Sequence, residues 1–349
     1  MVFCADNEQA RAIAEKYKYS KIIYLPKTTL ADRLINRVIR YSNRIIKNKT
    51  WIDIAYYRRV FRAIVAEGGL YHEFKRFAQE FGKENVYLHI HHHLLCEPYI
   101  DHIYGSVIGI SQFATREWMR TTEDKDVKAY TVYNCVNEDK FKKRITPEER
   151  ERIRGEFGFK RDDTILLFCG RIIEVKGVRE LLQAVINLKR PDIKLLMIGS
   201  AGFGGNVVTP YVQEVQKLVE KAGERVKFTG YIENQKLYRY YQSADIQVIP
   251  SLWEEAAGLI AIEGMLSGLP LIITKSGGMI EYAPSNVAVW IDRDNIIPNL
   301  EAAIIQLADD KEKRKEMSEL SLEQAKEFPK KKFYEDYIEV FEHEGTRKR

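Results

Sequence analysis

No apolar run in this 349-residue chain approaches the ~20 residues that a membrane-spanning helix needs, so no such helix is expected. Cysteine is scarce. The four residues, Cys4, Cys96, Cys135 and Cys169, are scattered without metal-ligand spacing, which argues against a disulfide framework or a zinc module and suits a reducing compartment. The N-terminal residues show neither a basic region nor an apolar core, so a signal peptide is not expected and the predicted location is cytoplasmic. Low-complexity tracts and tandem repeats are also missing, which excludes solenoids. No G-x-G-x-x-G follows an apolar run with an acidic residue about twenty positions on, which sets aside a dinucleotide dehydrogenase.

What is present is globular composition, 45% hydrophobic and 30% charged, in a chain long enough for two domains. The net charge of +5 is unevenly spread: residues 1–62 hold 14 Lys and Arg against 5 Asp and Glu. Between positions 33 and 62, Leu34, Ile35, Val38, Ile39, Tyr41, Ile45 and Ile46 alternate with Arg33, Arg37, Arg40, Arg44, Lys47 and Lys49. Such a basic amphipathic segment either lies on an anionic membrane surface or packs its apolar stripe on a sheet and solvates its cations. No nucleic-acid-binding motif accompanies it, so nucleic acid is not an expected partner.

Apolar runs at 164–169, 194–198, 225–229, 246–249, 269–274 and 286–291 alternate with helical spacing, as at Val178, Leu181, Leu182, Val185 and Ile186. That alternation predicts a parallel sheet covered on both faces, with ligands at the carboxyl ends of the strands. The first half alternates less regularly, with runs at 2–4, 21–25, 63–66, 86–91, 107–110 and 129–133. The charged stretch 142–161 reads as the link between halves, and a helix is predicted from about 330 to 344.

The most informative segment runs from Pro250 to Glu263. Glu255 falls in the loop before a helix predicted at 259–266, and Glu263 lies on that helix. A helix start offers unpaired amides and partial positive charge to a phosphate. Carboxylates flanking such a site suit a nucleotide sugar, one for hexose hydroxyls and one for ribose hydroxyls. Upstream, Gly170-Arg171-Ile172-Ile173-Glu174-Val175-Lys176-Gly177 follows the first run of the second half and brings two cations to a strand end. Gly199 and Gly230-Tyr231-Ile232 end the next two runs, and Gly277-Gly278-Met279-Ile280-Glu281 follows the fifth. In the first half, His89, His91 and His93 would share one face of an extended strand and His92 the other. A substrate role for His91, a core or capping role, and a metal site are three readings of this cluster. No carboxylate or cysteine stands in ligand spacing, so no metal is expected. Glu67-Gly68-Gly69 also follows a predicted strand and is a candidate for the acceptor side.

Glu255 and Glu263 resemble the E-x7-E signature of retaining glycosyltransferases of family 4, and 170–177 is similar to that family's G-R-x-x-x-x-K-G segment. Leu88-His89-Ile90-His91 resembles its L-H-x-H pattern, and Tyr133–Phe141 resembles P-N-G-V-D-x-x-x-F with Cys135 in place of glycine. The resemblance is dense from 164 to 281 and patchy before that. It implies a GT-B fold: two Rossmann-like doubly wound α/β domains facing a cleft. The acceptor-side domain is then 1–150, the donor domain 151–324, and a helix in 325–349 crosses back onto the first. It implies transfer of a hexose from a UDP- or GDP-sugar to a glycan or lipid-linked acceptor of a bacterial surface polysaccharide. Location on the inner face of the membrane is implied too. Arg171, Lys176, Glu255 and His91 are implied to serve catalysis, and Gly170, Gly199, Tyr231, Ile232, Gly258, Leu259 and Glu263 to bind the donor. The resemblance implies no metal or other cofactor.

The family's opening strand and Gly-Gly loop have no counterpart before Val2, so the first domain is expected to lack its first, central strand or to be rearranged. Ala256-Ala257 stands where Gly-Phe or Ser-Phe is commoner, which leaves the hexose open. Two alternatives share the architecture: a non-catalytic nucleotide-sugar-binding or partner subunit, and a nucleotide-sugar epimerase.

Overall fold

Strand boundaries follow the apolar runs closely. The computed structural model describes residues 2–5, 11, 22–25, 34, 63–67, 74–202 and 208–345. Most of the basic segment 33–62, together with Gly68, Gly69 and positions 203–207, lies outside the described residues.

In the first part of the chain, β1 (Val2–Ala5) and β2 (Ile22–Leu25) pair in parallel as a two-stranded sheet. A second sheet has the order β3 (Ile64–Ala66), β4 (Val86–Ile90), β5 (Ser106–Gly109), β6 (Lys128–Thr131). Among the described residues, α1 (Phe74–Phe81) and α2 (Gln112–Thr121) lie between its strands in sequence. All five residues of β4 are buried, as expected of a strand covered on both faces.

The third sheet contains β7 (Thr164–Cys169), β8 (Ile193–Ile198), β9 (Val226–Phe228), β10 (Ile246–Ile249), β11 (Leu271–Thr274) and β12 (Ala288–Ile291). Its order is β12-β11-β10-β7-β8-β9, and all its pairs are parallel. Counted from β7, this is the doubly wound order 3-2-1-4-5-6, with the switch point between β7 and β10. Successive side chains of β7 enter opposite cores. Leu166 and Phe168 join the cluster that holds Val178, Leu181 and Leu300, while Ile165, Leu167 and Cys169 join Ala261, Met265 and Tyr282. Each fully buried aliphatic side chain contributes roughly 1.5–3 kcal/mol, so two covered faces fix the register of the central strand.

The helices here are α3 (Asp139–Lys142), α4 (Pro147–Glu156), α5 (Val178–Leu188), α6 (Pro210–Ala222), α7 (Leu237–Ser243), α8 (Leu259–Leu266) and α9 (Met279–Tyr282). They are followed by α10 (Ile296–Asp309), α11 (Lys311–Gln324) and α12 (Lys330–Gly345). Helix α6 begins as its sequence dictates: Thr209 accepts from the Val212 amide at 3.2 Å and Pro210 takes the first helical position. The stretch expected to be a link is largely the ordered helix α4, with Thr146 as its cap. Arg154 of α4 is 3% exposed, and its guanidinium donates to Asp245 at 2.8 Å and to the Ser243 carbonyl at 2.8 Å. This cation of the charged stretch is thus consumed inside the fold.

The chain divides into two compact units, one of residues 1–89, 96–107 and 121–128, the other of 90–95, 108–120 and 129–349. Among the described residues, no helix is long and apolar enough to cross a membrane.

Candidate functional site

The loops leaving β7 and β10 are neighbours because those strands pair at the switch point. Backbone contacts lock them together: the Leu252 amide donates to the Val175 carbonyl at 2.8 Å. Gly177 closes the first loop at φ +67, and a Cβ there would lie 1.9 Å from the Pro250 carbonyl oxygen, so only glycine fits. Across this junction the Lys176 ammonium donates to Glu255 Oε1 at 2.5 Å, and each side chain is only 14% exposed. The same oxygen accepts from the Ser251 hydroxyl at 2.6 Å. The Trp253 ring lies 5.2 Å from the ammonium, within cation–π range. Glu255 is further fixed by its own amide, which donates to Ser276 Oγ at 2.9 Å. Two cationic positions expected from sequence thus stand on one loop: Arg171, half-buried, follows Gly170, and Lys176 engages the first glutamate of the signature.

Gly170, Gly199 and Gly230 end three adjacent strands and meet through their backbones. The Gly170 amide donates to Ile198 at 3.0 Å and the Gly199 amide to Gly230 at 2.9 Å. A Cβ on Gly199, at φ +149, would stand 1.7 Å from the Gly170 carbonyl oxygen. Close packing alone therefore requires this glycine. Beside it, Tyr231 is 41% exposed while Ile232 packs against the core.

Helix α8 starts at Leu259, with Gly258 at its N-cap position and no side-chain cap, leaving amides of its first turn for another acceptor. Leu259 is 39% exposed. Glu263 lies one turn into α8, where the fully buried Tyr241 donates its hydroxyl to Oε2 at 2.9 Å. Burial raises the Glu263 pKa above the ordinary carboxylate value, opposed by the Tyr241 hydrogen bond and by Lys140. Burial likewise pushes the neighbouring Cys169 thiol up to about 12, so it is no thiolate nucleophile. The two glutamates of the signature are therefore held in unlike ways.

Glu281 is the residue whose contacts the sequence did not disclose. Its oxygens accept from the amides of Gln112 and Phe113 at the start of α2, both at 2.7 Å, and from the Tyr133 hydroxyl at 3.0 Å. A partner 168 positions away leaves no periodic trace.

His89 and His91 stay together, with ring nitrogens within 4.8 Å of one another and of the Glu67 carboxylate, although strand β4 already ends at Ile90. His89 is buried and contacts the Glu67 carboxylate at 3.0 Å. His91, His92 and His93 are exposed. His93 contacts Glu117 at 3.2 Å, and its ring centroid lies 5.2 Å from that of Phe113. Burial, then the adjacent His91 and His93, lowers the His92 pKa. Both carboxylate partners come from positions that sequence spacing did not point to. A separate group, Asp101, His102 and Asp124, brings ligand atoms within 4.8 Å of one another, but the Lys83 ammonium already occupies Asp124 Oδ2.

The family model described as Glycosyl transferases group 1 matches residues 149–324. Spore coat protein SA of Bacillus subtilis is 31% identical over 222 residues, which are 62% of this chain and 59% of that protein. The chain spans about half the length of the curated relatives it matches. A solved glycosyltransferase of Rickettsia africae superposes with a TM-score of 0.79 at 15% identity, covering 99% of this chain and 90% of that one. Anabaena Alr3699/HepE in complex with UDP and glucose superposes at 0.76 and 17% identity, covering 98% and 91%. These likenesses establish the expected fold, the two-domain α/β GT-B architecture.

Proposed function

The chain belongs to the glycosyl transferases group 1, and from that premise we propose that it moves a hexose from a nucleotide diphosphate sugar to a glycan or lipid-linked acceptor, with retention at the anomeric carbon. The observation that carries this reading is the shielded Lys176–Glu255 pair at the switch point of a doubly wound sheet. As the bond from the anomeric carbon to the diphosphate breaks, its electron pair leaves with the diphosphate. Lys176, Arg171 and the first amides of α8, at Gly258 and Leu259, stand where that charge accumulates. Glu255 accepts from hexose hydroxyls, and its orientation is preset by Ser251 and Lys176. Glu263 accepts from the ribose, with Tyr241 occupying its other oxygen. Tyr231 and Ile232 face the base, Gly170 and Gly199 allow close approach, and His91 acts beside the reacting sugar. This scheme needs no metal, because side-chain cations and a helix start neutralise the diphosphate. In support, Anabaena Alr3699/HepE was solved with UDP and glucose, and a relative from Salmonella typhimurium is a lipopolysaccharide N-acetylglucosaminetransferase.

The first test is thermal shift of the full chain against UDP, GDP, ADP and CMP with their common sugars. One nucleotide raising Tm selectively supports the donor site and names its base. A folded sample that responds to none rejects the reading. Interconversion of the donor sugar without acceptor would instead identify an epimerase.

A further inference from the structure

We propose that Glu281 is a positioning residue that fixes the spacing between the histidine segment 91–93 and the Lys176–Glu255 pair. This rests on the transferase reading above. Starting from Glu255, its carbonyl accepts from the Gly278 amide at 2.7 Å. The Gly277-Gly278 turn fits closely here: a Cβ on Gly277 would lie 2.4 Å from the Glu255 carbonyl oxygen and 2.9 Å from the Phe113 ring. From that turn, α9 carries Glu281 to the start of α2, where both carboxylate oxygens receive backbone amides. A bidentate carboxylate at a helix start is stabilised by charge-assisted hydrogen bonds and by the helix dipole. The next residue of α9 adds a second tie: the Tyr282 hydroxyl donates to the Ile110 carbonyl at 2.5 Å and accepts from the Asn134 amide at 2.8 Å.

Helix α2 in turn holds His93, the last of the histidines. Phe113, whose amide Glu281 binds, lies against the His93 ring, and Glu117, one turn on, contacts His93 Nε2. A continuous path thus runs from Lys176 and Glu255 through Gly278 and Glu281 to Phe113 and His93, two residues from His91. Glu281 is the joint of that path, because its two oxygens hold the first two amides of α2, while Ser111 of the preceding turn takes the next two. The placement is specific. Tyr133 closes the remaining side of the carboxylate, its own pKa pushed up to about 12 by burial and by the adjacent Glu281 charge. Displacing a reacting group by 1 Å costs up to about 10²-fold in rate, whereas the affinity for the nucleotide does not depend on where His91 stands.

The experiment compares the full chain with Glu281→Ala and Glu281→Gln in hydrolysis of UDP-glucose and GDP-mannose. Nucleotide Kd by calorimetry, Tm, and hydrogen exchange of the amides at 111–115 are measured alongside. The expected result is a kcat lower by about tenfold to a hundredfold in Glu281→Ala. Kd should stay within about threefold, and exchange should quicken at the start of α2. Glu281→Gln, which keeps one acceptor, should recover part of the rate. An unchanged kcat despite faster exchange overturns the proposal. So does a parallel fall of kcat, affinity and Tm, which marks a purely structural role. Failure of the transferase reading shows in the unaltered chain, which would then neither bind nucleotide nor cleave either sugar.

Discussion

Two glutamates eight positions apart in sequence sit in opposite electrostatic surroundings. Glu255, in the loop after β10, is held by an ammonium at 2.5 Å and a hydroxyl at 2.6 Å. Glu263, inside α8, has a tyrosine hydroxyl as its hydrogen-bond partner, and burial works against its charge. The first region is organised around a side-chain ion pair. The second holds an acceptor whose ionisation depends on pH. A shared sequence signature therefore conceals two physical devices: a charge paired before any ligand arrives, and a buried carboxylate oriented by a neutral donor. Asp245 offers a third condition on the same sheet, with Arg150 and Arg154 both bound to it at 2.6 and 2.8 Å.

That third site should show the largest effect. Asp245→Ala removes the partner of a nearly inaccessible guanidinium, and breaking such a pair costs about 3–5 kcal/mol, readable as a lower urea midpoint. A loss below 1 kcal/mol would mean that the carbonyls around Arg154 suffice. Lys176→Ala attacks the paired-charge device: kcat should fall about 10²-fold or more, near 3 kcal/mol of transition-state stabilisation, with the fold retained. Unchanged turnover would remove Lys176 from the diphosphate scheme. Tyr241→Phe addresses the neutral donor. Losing one hydrogen bond, about 1 kcal/mol, should weaken nucleotide binding roughly fivefold at pH 7. Since that bond favours the charged carboxylate, the pH at which affinity declines should move upward in the variant. Cys169 from β7, Tyr241 from α7 and Lys140 from α3 are the groups that bear on this carboxylate.

The smallest effect is on stability against pH in Glu263→Gln. The folded pKa of Glu263 is raised, so between its unfolded value and that raised value the native state holds more protons than the unfolded chain. Its contribution is complete below the unfolded value and is lost as pH rises through the folded one. At pH 7 the glutamine variant should melt about 1–2 °C higher, and the gain should vanish below the ordinary carboxylate range. A gain that persists in acid would place its origin outside ionisation.

Much of the six-stranded sheet was legible because each strand is a short apolar run ended by glycine, proline or polar residues. The predicted bounds of β7, β10 and α8 agree with the structure, and those of β8, β9, β11 and β12 shift by one or two residues. Local chemistry decides those positions. The family pattern pointed to Lys176 and Glu255 one by one; their pairing was not legible, since 79 residues separate them. The burial of Arg154 within the stretch read as a link was not legible, because sequence cannot distinguish a cation facing water from one facing Asp245. The contact of Glu67 with His89, and that of Glu281 with α2, arise from strand and loop adjacency, which no local period encodes.

The glycines at the ends of β7, β8 and β9 leave little room for redesign. A side chain at Gly199 would collide with the Gly170 carbonyl and one at Gly177 with that of Pro250, so the cation-bearing loop is framed by two positions that admit only glycine. With Ile172 in the core and Arg171 and Lys176 assigned to the proposed diphosphate contact, freedom to alter this loop is confined to positions 173–175. A combinatorial library aimed at new donors should therefore diversify those positions while leaving the flanking glycines untouched, and its surviving members would trace the tolerance of the loop directly.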